Sequence, residues 1–186
     1  MFRPERWEYR ITLADVDRRI NVDKTVVIGR HPSETTQHLV LRLLGYCFVY
    51  QETIELGAGV SLEGEPDLFA KDLTGQLSLW VGCGDVTPDL AKKVVQHNRE
   101  AKAHAVFPSH AALDAFTERV RHWNKLPKNW GHLTAWVPPE AVVDHLEHLE
   151  SLRQRWVVTL AGGHMYIEVD DVMLDGPVLH VVAPGG

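Results

Sequence analysis

The sequence predicts an α/β protein with a mixed sheet flanked by helices. Two observations predict it. Through the middle of the chain, strand-like and helix-like segments alternate. At both ends, segments with period-two alternation are joined by short polar or Gly-rich turns, which is how antiparallel hairpins read.

The elements follow in order. In "RWEYRITLAD", Trp7, Tyr9, Ile11 and Leu13 face one way and Glu8, Arg10 and Thr12 the other, so the segment is a half-buried strand. "DVDRR" is turn-like and "INVDKTVVIGR" is the hairpin partner. "HPSETTQHLVLRLLGYCFVY" is the clearest helix, with Pro32 at its entry and Ser33 as the expected cap. Leu39, Leu43, Tyr46 and Tyr50 form one stripe, and Val40, Leu44 and Cys47 widen it into a face that has to be largely enclosed. "TIELGAGV" is a short extended candidate. "SLEGEPDLFAKDLTG" is punctuated by Gly and Pro and reads as loop with one helical turn. "QLSLWVGC" alternates as a strand. "DVTPDLAKKVVQHN" restarts as a helix with Thr87 as cap and Pro88 at its first position. "KAHAVFPS" is a strand, "SHAALDAFTERVRHW" a helix capped by Ser109, "HLTAWVP" a strand and "EAVVDHLEHLES" a helix. The tail reads as strand, Gly-Gly turn, strand, turn, strand.

Length and composition set the outer limits. The 186 residues are enough for one domain, 1–186, with a full core, and 45% hydrophobic with 24% charged content is that of a soluble globule. The start lacks the continuous apolar region of a signal peptide, which leads to the expectation of a cytoplasmic protein without membrane contact. Cys47 and Cys83 lie in apolar patterns and are expected to be buried reduced thiols. A net charge of -6 argues against a protein that coats nucleic acid indiscriminately, although a metal-using nuclease would carry such carboxylates itself.

Several short strings, taken in order, carry a resemblance. Gly29-Arg30-His31-Pro32-Ser33-Glu34-Thr35 opens the first helix. Glu65-Pro66-Asp67 follows, then Asp72-Leu73-Thr74-Gly75, then the strand end Leu79-Trp80-Val81-Gly82-Cys83-Gly84, then Lys92-Lys93-Val94. In this order the chain resembles the YaeQ family of small bacterial proteins, most closely in its first hundred residues. That family is regarded as a compact variant of the PD-(D/E)XK, restriction-endonuclease-like fold. The resemblance implies a central mixed sheet with the first helix packed on it, and it puts Glu34, Asp67 and Lys93 on family site positions. The family's strand carboxylate would be residue 82, which here is glycine.

Metal-assisted phosphodiester cleavage needs oxygen ligands that fix Mg²⁺ or Mn²⁺ while leaving room for water and phosphate, and a Lys to steady developing charge. By the resemblance Asp67 and Glu34 would ligate the ion and Asp67, Lys93 and Glu34 would form the catalytic set. Gly82 offers no side-chain ligand, so metal binding is expected to be weak or absent unless Glu65, Asp72, Asp85 or Asp89 takes over. Each residue also has a plain structural explanation: Glu34 as a first-turn acid of the helix, Asp67 as the cap of a helical turn, Lys92 and Lys93 as a solvated face.

Two further clusters stand out. Arg119, Arg121, Lys125 and Lys128 concentrate positive charge with Trp123 and Trp130 interleaved, which suits a phosphate backbone and a stacked base. The alternative is core tryptophans beside solvated cations. His145 and His148 are three apart in "HLEH" and suit either a shared metal or a polar helix face. The expected function is therefore a non-catalytic binder of nucleic acid or of a protein partner, derived from a nuclease-like fold. The competing expectation is a Mg²⁺- or Mn²⁺-dependent nuclease with a migrated second carboxylate.

Overall fold

A computed structural model describes residues 5–59 and 65–186. The chain opens with a long hairpin, β1 (Glu5–Asp15) and β2 (Ile20–Arg30), followed by α1 (Thr36–Phe48). Then come β3 (Glu55–Leu56), β4 (Leu68–Lys71), β5 (Leu77–Cys83), α2 (Pro88–His97), β6 (Lys102–Val106), α3 (His110–Arg121), a 3-10 turn (Trp130–His132), β7 (Leu133–Val137) and α4 (Glu140–Glu147). The chain closes with β8 (Arg153–Ala161), β9 (His164–Val169), β10 (Val172–Pro177) and β11 (Leu179–Val182).

The α/β class holds, but the strands form two mixed sheets rather than one central sheet. One runs β10-β9-β8-β1-β2 and the other β11-β7-β6-β5-β4-β3. The division comes from β8, which joins β1 in parallel with Glu8 opposite Arg153 and Arg10 opposite Arg155. That pairing gathers the hairpins from both ends of the chain into a sheet of their own.

Helix α1 lies between the sheets. Its residues Leu39 through Phe48 are all buried, and they share one core with Trp7, Tyr9, Ile11 and Leu13 of β1, Trp156 and Val158 of β8, and Leu79, Val81 and Cys83 of β5. Truncating one of these leucines to Ala is expected to cost about 2–5 kcal/mol. The approach to the second sheet is close at Gly45, where an added Cβ would lie 3.2 Å from Val106 of β6. Helices α2 and α3 cover the opposite face of the second sheet, in a core that includes Trp80, Phe116 and Trp130. Cys47 and Cys83 are free and buried, and burial raises both thiols, Cys47 to about 12.

The expected caps Thr87 and Ser109 accept from the N–H groups of Leu90 and Ala112. At α1 the cap is Thr35 instead of Ser33: its Oγ1 accepts from the His38 N–H at 3.1 Å, while the Ser33 hydroxyl contacts Nδ1 of His31 at 2.7 Å. The helix therefore starts after Glu34. The segment "LFAK" is the strand β4, antiparallel to β5, where a helical turn was expected. The extended candidate at residues 53–60 forms only the two-residue β3 among its described residues. Among the described residues no helix is long and apolar enough to cross a membrane.

Candidate functional site

At the C-terminal end of β5, a cavity of about 500 Å³ opens between the start of α1 and the start of α2. Ligand sites of α/β folds favour this location, beyond the carboxyl ends of strands. Glu34, His38, Glu65, Asp67, Trp80, Gly82, Asp85 and Thr87 are among its lining residues.

Asp67 reaches the cavity because it immediately precedes β4. Its N–H donates to the Val81 carbonyl at 2.8 Å, and its Oδ2 accepts from the Cys83 N–H at 2.7 Å. Glu34 arrives from the turn before α1. His38 and Arg42, four apart in α1, project from one side of the helix, and Glu34 meets them there.

These four side chains form one network. Nδ1 of His38 is 2.9 Å from Glu34 Oε1, and Nε2 of the same ring is 3.0 Å from Asp67 Oδ1. Carboxylates only accept, so both ring nitrogens donate and the ring is an imidazolium. Burial opposes that charge, but the bonds to Asp67 and Glu34 outweigh it and raise the His38 pKa to about 9. Arg42, buried in α1, donates from Nη1 to Glu34 Oε1 at 3.0 Å and from Nη2 to the Gly57 carbonyl at 2.6 Å; its Nε lies 3.8 Å from Asp67 Oδ1. Burial alone would raise the pKa of Glu34; His38 and Arg42 more than reverse this and hold it below the usual carboxylate range. Two anions thus face two cations.

The sequence expectations divide here. Glu34 and Asp67 do come together. Glu34 is neither a helix first-turn acid nor exposed, and Asp67 caps no helical turn. Lys93 is not among the cavity residues: the buried stripe of α2 is Ala91, Val94 and Val95, which turns Lys93 outward. Lys92 lies over the Trp123 ring at 5.2 Å. Gly82 faces the cavity, but the space beside it is filled. A Cβ there would fall 2.5 Å from Trp80 and 2.7 Å from Val86. His38 and Arg42 were not singled out from the sequence, although Glu34-x₃-His38-x₃-Arg42 is visible as a polar line on an otherwise apolar helix.

Glu34 and Asp67 leave little for a divalent ion to bind. Oε1 of Glu34 and Oδ1 of Asp67 hold His38, and Oδ2 of Asp67 holds the β5 backbone, so the uncommitted oxygen of the pair is the buried Oε2 of Glu34. One anionic oxygen beside an imidazolium and a guanidinium is a poor Mg²⁺ site.

The other candidates lie elsewhere. Arg119, Arg121, Lys125 and Lys128 are exposed at the end of α3 and in the following loop, whereas Trp130 is core and Trp123 half-buried against it. At the end of α4, among the described residues, the ligand atoms of Asp144, Glu147 and His148 converge, without those of His145.

The family model described as YaeQ protein matches residues 2–176. The chain belongs to the YaeQ family. The YaeQ protein of Salmonella typhi is 24% identical over 163 residues, 84% of each chain. The YaeQ protein of Escherichia coli (strain K12) is 30% identical over 74 residues, 40% of this chain and 41% of that one. The crystal structure of YaeQ from Xanthomonas axonopodis pv. citri superposes with a TM-score of 0.84 at 21% identity, covering 97% of this chain and 99% of that one. YaeQ from Pseudomonas syringae gives 0.80 at 22%, covering 98% of each. The two-sheet architecture is therefore that of YaeQ structures.

Proposed function

We propose that this YaeQ-family chain is a nucleic-acid-binding protein of nuclease-like, PD-(D/E)XK ancestry that does not hydrolyse its ligand. The observation that carries the loss of hydrolysis is the position of His38. It stands between Glu34 and Asp67 and donates to both, so the two acids that would hold a catalytic ion hold an imidazolium instead. The occupied space at Gly82 and the outward position of Lys93 support the same reading. The exposed cations Arg119, Arg121, Lys125 and Lys128 support nucleic acid as the partner.

The test pairs two assays on the purified protein. Single-stranded DNA, plasmid and RNA are incubated with Mg²⁺ or Mn²⁺, and binding to the same nucleic acids is followed against salt. Salt-sensitive binding without cleavage is the expected result. Ion-dependent cleavage that Asp67→Ala abolishes would refute it. Tight binding to a protein partner that is indifferent to salt would refute the nucleic-acid assignment.

A second reading, a metal-dependent nuclease with a migrated carboxylate, rests on the unpartnered Oε2 of Glu34 and on Glu65 and Asp85 in the same cavity. It requires His38 to leave its present position, and direct Mn²⁺ titration distinguishes the two.

A further inference from the structure

The cavity at the end of β5 holds more negative charge than its buried network uses. Among the described residues that line it, Glu34, Glu65, Asp67 and Asp85 are anions and His38 is the one cation. Glu34 and Asp67 are answered by His38 and by Arg42 behind them. Two cations against four anions leave a net charge of -2, carried by the exposed Glu65 and Asp85. The starts of α1 and α2 each add about half a positive charge. Thr35 and Thr87 already cap the first turns of these helices, and the balance in the cavity stays negative. An entering phosphate or carboxylate meets repulsion here, and an entering cation meets attraction.

Two features separate an organic cation from a metal ion. The first is spacing. A divalent ion needs its ligand oxygens gathered around one point. Among the described residues, three or more ligand atoms within 4.8 Å of one another occur at the end of α4 and not in the cavity. The second is the wall. Leu41, Trp80, Val86, Leu90 and Pro108 line the same space, and a hydrated ion gains nothing from them. A volume of about 500 Å³ is that of a site for an organic ligand.

We propose that this cavity binds a primary ammonium on a short apolar stem, with Glu65 and Asp85 as its counter-charges. The ammonium donates three hydrogen bonds and the carboxylates at the mouth only accept. The buried Trp80 and Val86 receive the stem, whose removal from water is favourable. A free alkylamine and a lysine side chain both carry this group, and the test distinguishes them. The assignment is independent of the nucleic-acid reading, which rests on cations outside the cavity.

The test titrates n-hexylamine, n-hexanol and n-hexanoate into the full chain by calorimetry at neutral pH, with ¹⁵N amide spectra to locate the ligand. Hexylamine is expected to bind, the alcohol and the carboxylate of the same length to bind about tenfold more weakly or worse, and the amide signals of Gly82, Gly84 and Asp85 to move. Glu65→Gln/Asp85→Asn changes two exposed positions and is expected to fold like wild type by circular dichroism. It should weaken hexylamine by about tenfold or more and leave hexanol unchanged. An N-acetylated, amidated lysine that binds more tightly than hexylamine identifies a lysine side chain as the source of the ammonium, and the reverse order identifies a free amine. Preference for hexanoate or inorganic phosphate, or amine binding that the double variant leaves intact, would overturn the proposal. So would Mn²⁺ that binds more tightly than hexylamine and is lost in the same variant, a result that gives the two acids to a metal.

Discussion

Trp80 lies across Gly82, with the end of its indole 2.5 Å from where a Cβ on residue 82 would sit. The absence of a side chain at 82 is therefore structural as well as chemical: the ring occupies the position. Gly82→Ala is expected to cost about 1–3 kcal/mol by overpacking. In a Trp80→Leu background the same change is expected to cost less, a coupling that a double-mutant cycle from urea unfolding reads directly. A neutral Gly82→Ala in the wild-type background would show that the ring is free to move. By the same logic, Gly82→Glu restores a carboxylate only once residue 80 has been made smaller.

His38 makes stability depend on alkaline pH. Its folded pKa is raised to about 9 from an ordinary 6.5. A raised pKa means the fold binds the proton more tightly than the unfolded chain. The contribution is complete below pH 6.5 and is lost as pH rises through 9. At 1.36 kcal/mol per unit it amounts to something on the order of 3 kcal/mol. Urea midpoints at pH 6 and pH 9.5 should separate for the wild type and converge for His38→Gln.

Removing the imidazolium should also expose the two acids to ions. In His38→Ala, Glu34 and Asp67 lose the proton-bearing bridge between them, and Mn²⁺ affinity by calorimetry is expected to rise by about tenfold or more. An unchanged titration would show that Arg42 alone is enough to exclude the ion.

Arg42 is the buried cation of the network, and truncating one partner of a buried pair costs about 3–5 kcal/mol because the other charge is stranded. Arg42→Met is expected to fall in that range in chemical denaturation. Arg42→Lys should rescue little of it, since a single ammonium cannot reach Glu34 and the Gly57 carbonyl with the two arms of a fork.

Local structure was legible wherever a local signal was unambiguous. Thr87 and Ser109 each stand alone before a periodic run, and both cap. Ahead of α1, two hydroxyls lie two residues apart, and only the fold selects Thr35 over Ser33. "LFAK" is too short for periodicity to separate a strand from a turn of helix. The division into two sheets left no trace in the sequence, because a parallel pairing between β1 and β8 has no connecting turn to announce it. At the site, the family resemblance led to Glu34 and Asp67, which do meet. It did not reveal that His38 stands between them, since a histidine one turn into an apolar helix looks like any half-buried polar residue. The same resemblance points to Lys93, and the buried stripe of α2 turns it outward.

The union of β1 with β8 also sets an order of events during synthesis. Until the last quarter of the chain has emerged, the first hairpin holds one flank of β1 open, with unpaired amides and carbonyls along its whole length. Such a flank invites pairing with strangers. A nascent chain of this protein thus depends on its final hairpins for solubility, and a stalled or clipped product lacking β8 is expected to go into the pellet.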